Sequence, residues 1–210
     1  MKTSTRRNFL KKIAITAASA VAVPGLVKAS ENLGTAEAES AEAFPGPGGL
    51  IVPKGNGLQI SGTFLDEISH DIPHQNWGEK EWDADFRYMK AVGIDTVILI
   101  RSGYRKFITY PSPHLLGQGC YMPSVDLVDM YLRLAQKYGM KFYFGLYDSG
   151  RYWDTGDMSS EVEHNKYVID EVWRMYGEKY RSFGGWYLSG EISRSTKGAI
   201  GAFRAMGNQC

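Results

Sequence analysis

The sequence predicts an α/β fold with four βα units on this chain, for which two architectures compete, an open doubly wound sheet and the first half of a (β/α)8 TIM barrel, with the barrel favoured. Three observations predict it. Between residues 58 and 210, four β-prone runs alternate with four stretches of helical spacing, the runs are largely apolar, and no GxGxxG or GxxxxGKS follows any of them. Such alternation makes parallel βαβ units with right-handed crossovers. Apolar strands suit a sheet covered on both faces, and the missing phosphate loops count against an open nucleotide-binding sheet. A whole barrel needs about 250 residues and eight units. Residues 58–210 are therefore expected to be a half barrel, the N-terminal piece of a longer protein.

The elements follow in order. Leu58 to Leu65 (LQISGTFL) is the first strand, and Glu81 to Val92 the first helix, with Trp82, Phe86, Met89 and Val92 on one stripe and Gly93 closing it. Ile94 to Ile100 (IDTVILI) is the second strand. Its helix starts at Ser124, buries Val128, Tyr131, Leu132 and Ala135, and ends at Gly139. Met140 to Tyr147 (MKFYFGLY) is the third strand. The third helix opens at Ser160, with Glu163 completing a capping-box pattern, and carries Val162, Lys166, Ile169, Trp173 and Tyr176 on its inner face, Lys166 snorkelling. Gly185 to Ser189 (GWYLS) is the fourth strand, and Thr196 to Met206 begins a fourth helix.

Ahead of these units lie two segments of other character. Thr5-Arg6-Arg7-Asn8-Phe9-Leu10-Lys11 matches the twin-arginine export pattern, followed by an apolar stretch from Ile13 to Val27 and a small-residue exit at Val27-Lys28-Ala29. The stretch is too short and Ala-rich to serve as a retained anchor. Residues 1–29 are expected to be a signal peptide, and the mature protein to be periplasmic or otherwise exported, with no stable membrane anchor. Residues 30–57 pass from TAEAESAEA to FPGPGG, the composition of a flexible linker.

Composition bounds the function. With 43% hydrophobic and 22% charged residues, the chain is of soluble globular type with material for one sizeable core. Residues 1–29 hold six of the 24 Lys and Arg and none of the 23 acids, so the remainder has a formal charge of 18 − 23 = −5. That balance counts against a nucleic-acid partner. Cys120 and Cys210 show no metal-type spacing, and their pairing is left open.

In a parallel α/β fold, ligands bind at the C-terminal ends of the strands. Those ends carry Asp66, Glu67, His70, His74 and Trp77; then Arg101, Ser102 and Tyr104; then Tyr147, Asp148, Arg151, Tyr152 and Trp153; then Glu191 and Arg194. Aromatic faces stack on the apolar face of a sugar ring, while carboxylates and guanidinium groups bond its hydroxyls, so the inventory suits a carbohydrate. Asp66, Arg101, Tyr104 and Asp148 are expected to orient substrate, and Trp77 and Trp153 to stack sugars. Each has a plainer role open to it: Asp66 and Asp148 as caps, Arg101 as an ion-pair partner, and the tryptophans as packing.

Glu191 is the expected catalytic residue. A carboxylate at the mouth of the fourth strand, flanked by Trp186 and Leu188, would be partly desolvated, which favours the protonated form that a general acid requires. Glycoside hydrolysis needs a second carboxyl group as well. His70 and His74 stand four apart, but Pro73 between them argues against a helical metal site; no metal or cofactor is expected, although Glu191, Asp148 and His70 could assemble one.

The stretch ISGTFLDEISHDIPHQNWGEKEWDADFRYMKAVGIDTVIL, together with GWYLSGEISR, resembles the domain of unknown function 4434 family, exported proteins with a glycoside-hydrolase-like TIM barrel. The resemblance covers residues 58–210 and implies a barrel and a glycosidase or a relative of one. The chain is also similar to the clan of retaining glycosidases whose acid/base glutamate ends strand four, the place of Glu191, and whose second glutamate ends strand seven. That clan commonly has Asn before the acid/base; here the residue is Gly190.

The first expectation is an exported glycoside hydrolase-like protein acting on an oligosaccharide, with this half inactive alone for want of its second carboxylate. The alternatives are a non-catalytic carbohydrate-binding protein and a metal-dependent sugar isomerase or epimerase.

Overall fold

The structure, a computed structural model, describes residues 43–45, 51–53, 60–67 and 77–210. The expected signal peptide, most of the expected linker, and both His70 and His74 lie outside the described residues. Within the 30–57 stretch, β1 (Ala43–Pro45) pairs antiparallel with β2 (Ile51–Pro53).

Four strands form the main sheet: β3 (Gly62–Leu65), β4 (Thr96–Leu99), β7 (Lys141–Gly145) and β9 (Phe183–Tyr187). Their spatial order is their chain order, and all three pairings are parallel. The architecture is thus α/β with a parallel sheet, as the alternation predicts.

Helix α1 (Glu79–Ala91) starts at Gly78, whose N–H donates to the Glu81 carboxylate at 3.0 Å, with Glu79 and Glu81 in the first turn where the helix dipole favours them. It buries Trp82, Phe86 and Met89, whereas Val92, expected on the same stripe, is the C-cap and stands exposed. Helix α3 (Leu127–Lys137) begins later than Ser124 because Asp126 is its cap, accepting the Asp129 N–H at 3.0 Å. Its Val128, Tyr131, Leu132 and Ala135 are fully buried.

These helices cover one face of the sheet. Val97, Leu99, Phe142 and Phe144 point to that side and are fully buried, with Tyr131 of α3 against Phe142 at 6.1 Å between ring centroids and against Phe86 of α1 at 6.2 Å. On the opposite face Phe64 is exposed, and Ile98, Tyr143 and Tyr187 are half-buried.

That opposite face is concave. Phe64 and Tyr187 sit on the two outer strands, three strand spacings apart, which is roughly 14 Å across a flat sheet. Their ring centroids are 5.2 Å apart, so the sheet curls until side chains from its edges meet. The curl needs a close approach between β4 and β7: a Cβ on Gly145 would lie 2.1 Å from the Leu99 carbonyl oxygen.

A second, smaller sheet stands on the C-terminal ends of β4 and β7. It consists of β5 (Gly103–Tyr104), β6 (Phe107–Ile108) and β8 (Tyr147–Asp148), with β5–β6 an antiparallel hairpin and β5–β8 parallel. Short helix α2 (Pro113–Gly117) follows the hairpin, and α4 (Arg151–Thr155) follows β8.

Helix α5 (Ser159–Val172) corrects the expected third helix. Its start is fixed by Asp157, whose carboxylate accepts the Ser159 N–H at 3.0 Å, rather than by a Ser160–Glu163 box. Lys166 and Trp173 are exposed; the buried face carries Glu161, Asn165, Val168, Ile169 and Val172, and a π turn (Trp173–Gly177) then brings Tyr176 inward. The last helix, α6 (Ala199–Gln209), begins after Gly198 in the left-handed conformation, φ +70°.

Candidate functional site

The polar face of α5 explains how the centre of the site is held. Asn165 donates to the Tyr147 carbonyl and accepts the Tyr147 N–H, both at 2.9 Å. Glu161 accepts the Ser149 N–H at 2.9 Å and also the Ser149 hydroxyl. The residues on either side of Asp148 are therefore clamped by buried side chains, a stiffer support than a free loop offers.

Asp148 lies 2% exposed at the end of β8 and accepts three hydrogen bonds. They come from the Gly150 N–H at 2.8 Å, the Arg101 guanidinium at 3.1 Å and the Tyr152 hydroxyl at 3.3 Å. Burial lifts its carboxyl above the usual range, against the pull of the Gly150 N–H, Arg101 and Tyr152.

Arg101 links two carboxylates. Its second terminal nitrogen reaches Glu191 Oε1 at 3.4 Å, while its carbon Cζ stands 5.3 Å from the Tyr104 ring centroid, within cation–π range. Tyr152 is the tie between β8 and the segment after β9: its hydroxyl donates to Asp148 and accepts the Glu191 N–H at 3.2 Å. Burial and the Asp148 charge raise the Tyr152 phenol above its ordinary value, so it stays a donor.

The structure thus gathers four of the expected residues, Arg101, Tyr104, Asp148 and Glu191, at the C-terminal ends of consecutive strands. Trp153 is close by, 51% exposed, with its ring tilted against that of Tyr152 at 5.1 Å between centroids. Asp66 is one residue past β3, at the same end of the sheet, beside Glu67. Glu67 is buried, and burial together with Asp66 raises its carboxyl to about 7.

One expectation needs correction. Trp77 is partly buried and packs edge-on against Trp82 at 5.2 Å, joining the core beneath α1 rather than the gathered cluster. Glu191 is partly desolvated, its side chain 38% exposed, but the group it faces is the Arg101 guanidinium rather than an apolar flank alone. Among the described residues no group of three or more His, Cys, Asp and Glu is arranged to hold a metal, and Cys120 and Cys210 are free thiols. No helix among the described residues is long and apolar enough to cross a membrane.

Tyr152 is the residue of the cluster that the sequence did not single out. Tyr152 stood at a strand end with no role.

The profile of the family described as "Domain of unknown function (DUF4434)" matches residues 60–210. No curated protein matches. Among solved structures, the chain is similar to one from Bacteroides thetaiotaomicron VPI-5482 described as a "putative alpha-L-fucosidase", at 84% identity and a TM-score of 0.71. The alignment covers 77% of this chain and 50% of that one, so this chain spans half the length of the solved protein.

Proposed function

The chain belongs to the DUF4434 family, and from that premise we propose that it is the first half of an exported glycoside hydrolase-like TIM barrel acting on an oligosaccharide, with Glu191 as the proton-transferring carboxylate. The observation that carries the reading is the Arg101 bridge between Asp148 and Glu191, beside the Tyr104 ring, on the strand ends where parallel α/β folds bind ligands. The fucosidase description of its 84%-identical neighbour supports a sugar as substrate, and the concave face bridged by Phe64 and Tyr187 supports closure into a barrel.

Each residue then has a physical task. Asp148, satisfied three times over, is a poor nucleophile and serves to hold Arg101 and Tyr152 in place. Arg101 orients Glu191 and offers donors to sugar hydroxyls, Tyr104 helps to orient the substrate, and Trp153 supplies a ring for stacking. Glu191 is the carboxylate left accessible to a glycosidic oxygen, to which it gives a proton as that bond breaks. The partner carboxylate that attacks or activates water comes from the remainder of the barrel. Residues 1–29 would direct export by the twin-arginine route.

The test is hydrolysis of 4-nitrophenyl α-L-fucoside and related aryl glycosides by the full-length protein. Glu191→Gln should lower kcat by about 100-fold or more, the scale of general acid–base catalysis, with oligosaccharide binding kept. Unchanged turnover in that variant refutes the role. Full engagement of Asp148 also fits a non-catalytic glycan-binding protein; tight binding without turnover by the full-length wild type would select that reading.

A further inference from the structure

Arg105 holds a backbone conformation that its residue type resists. The β5–β6 register, Gly103↔Ile108 and Tyr104↔Phe107, leaves Arg105 and Lys106 as a two-residue loop. Arg105 has φ +55° and is the single non-glycine residue with positive φ among those described. A two-residue hairpin loop with positive φ at its first position alone is the II′ arrangement, where glycine is the usual occupant.

The surroundings enforce this conformation. The Arg105 N–H donates to the Asp148 carbonyl at 2.9 Å, and the Arg105 carbonyl accepts the Tyr147 hydroxyl at 2.5 Å. Gly150, opposite, leaves room for the side chain: a Cβ there would lie 3.1 Å from Arg105 Cγ and Nε. The Arg105 guanidinium carbon rests 5.2 Å from the Tyr104 ring centroid, the same ring that Arg101 approaches to 5.3 Å.

The two arginines differ in what they face. Arg101 is neutralised by Asp148 and Glu191, whereas Arg105 is exposed and has no carboxylate partner among the described residues. Lys106 and Arg151, also exposed, stand near it in the chain and on α4. A strained residue that the surrounding structure over-determines, placed at a binding site, points to a function served by the side chain.

We infer that Arg105 is a specificity-determining residue that binds an anionic substituent, a sulfate ester or a carboxylate, on a sugar bound beside Tyr104. The inference rests on the carbohydrate reading above and deepens it by naming the substrate class as acidic glycans. A guanidinium suits both anions, because its fork donates two parallel hydrogen bonds to either. Binding involves no covalent step, so Arg105 acts on affinity and on the choice of substrate.

The test measures binding of three probes to the full-length protein by titration calorimetry at low and high salt: sulfated fucan oligosaccharides, oligogalacturonates and neutral fuco-oligosaccharides. Wild type should favour one or both anionic probes, with affinity falling as salt rises; the preferred probe tells sulfate from carboxylate. Arg105→Gln and Arg105→Gly should each weaken the anionic probe at least tenfold and leave the neutral probe within twofold. Arg105→Gly should also raise the melting temperature, since glycine accepts this φ, which separates lost binding from lost folding. Equal affinity of wild type for anionic and neutral probes, or an equal loss for both in Arg105→Gln, overturns the inference while the sugar reading stands. Failure of all three probes to bind wild type overturns both.

Discussion

Replacing Arg101 with Met removes the cation that touches Asp148 while keeping most of the aliphatic stem. Asp148 is 2% exposed, so the change leaves a carboxylate in a dry place with two neutral donors, Gly150 at 2.8 Å and Tyr152 at 3.3 Å. Breaking a buried ion pair by deleting one partner costs roughly 3–5 kcal/mol. The two surviving donors put this case at the lower end, about 3 kcal/mol. In a folded unit of this size, about 1 kcal/mol moves the melting temperature by roughly 2–4 °C, so a fall of about 6–12 °C is expected at pH 8.

The loss should depend on pH with a definite sign. Burial already raises the Asp148 carboxyl, and Arg101 opposes that rise. The folded state therefore holds this proton more tightly than the unfolded chain, and the resulting penalty is absent at low pH and grows as pH rises through the folded titration. Without Arg101 the titration moves higher and the penalty deepens. Thermal melts followed by circular dichroism should show wild type and Arg101→Met nearly alike at about pH 4, where model carboxylates are half protonated, and well separated at pH 8. Adding Asp148→Asn to Arg101→Met should recover most of the loss at pH 8. The same deficit at both pH values, or additive losses in the double variant, would refute the buried-pair argument.

Other outcomes follow from packing. Gly145→Ala places a Cβ 2.1 Å from the Leu99 carbonyl oxygen and 2.7 Å from Ile100, backbone atoms at and just past the end of the central strand β4. The strands must separate, and a destabilisation of at least about 3 kcal/mol, the top of the overpacking range, is expected in urea titrations. Gly201→Ala is the contrast, since nothing lies within 4 Å of the new methyl group on α6; it should stabilise by about 0.5–1 kcal/mol. Trp77→Ala should cost about 2–3 kcal/mol and leave sugar affinity alone, because Trp77 packs on Trp82. Trp153→Ala, removing a ring 51% exposed, should weaken oligosaccharide binding with the melting temperature unchanged.

Where local and tertiary preferences agree, the elements were legible. Helices α1 and α3 pair a stripe of large apolar residues with an acidic first turn or an Asp cap, and both lie within a few residues of their expected bounds. Helix α5 was misread for a physical reason. Its inward face carries Glu161 and Asn165, which bond Ser149 and Tyr147, and an apolar-stripe reading assigns such polar positions to solvent. The stripe was then fitted to Lys166 and Trp173, both of which face water.

The site divides along similar lines. Arg101, Asp148 and Glu191 were legible because a parallel strand delivers the residue after its last apolar position to one end of the sheet, whatever the loops do. Ring platforms were not: Trp77 and Trp153 both follow strands, and which one meets water depends on whether α1 offers it a partner, as Trp82 does for Trp77. The rim hairpin left no mark, since Tyr104-Arg105-Lys106-Phe107 contains none of the Gly or Asn that announce a tight turn. The residue that hid the hairpin is the one whose strain now assigns it a task. A turn built for ease would have used glycine, and the arginine found there faces the same ring as the guanidinium that ties Asp148 to Glu191.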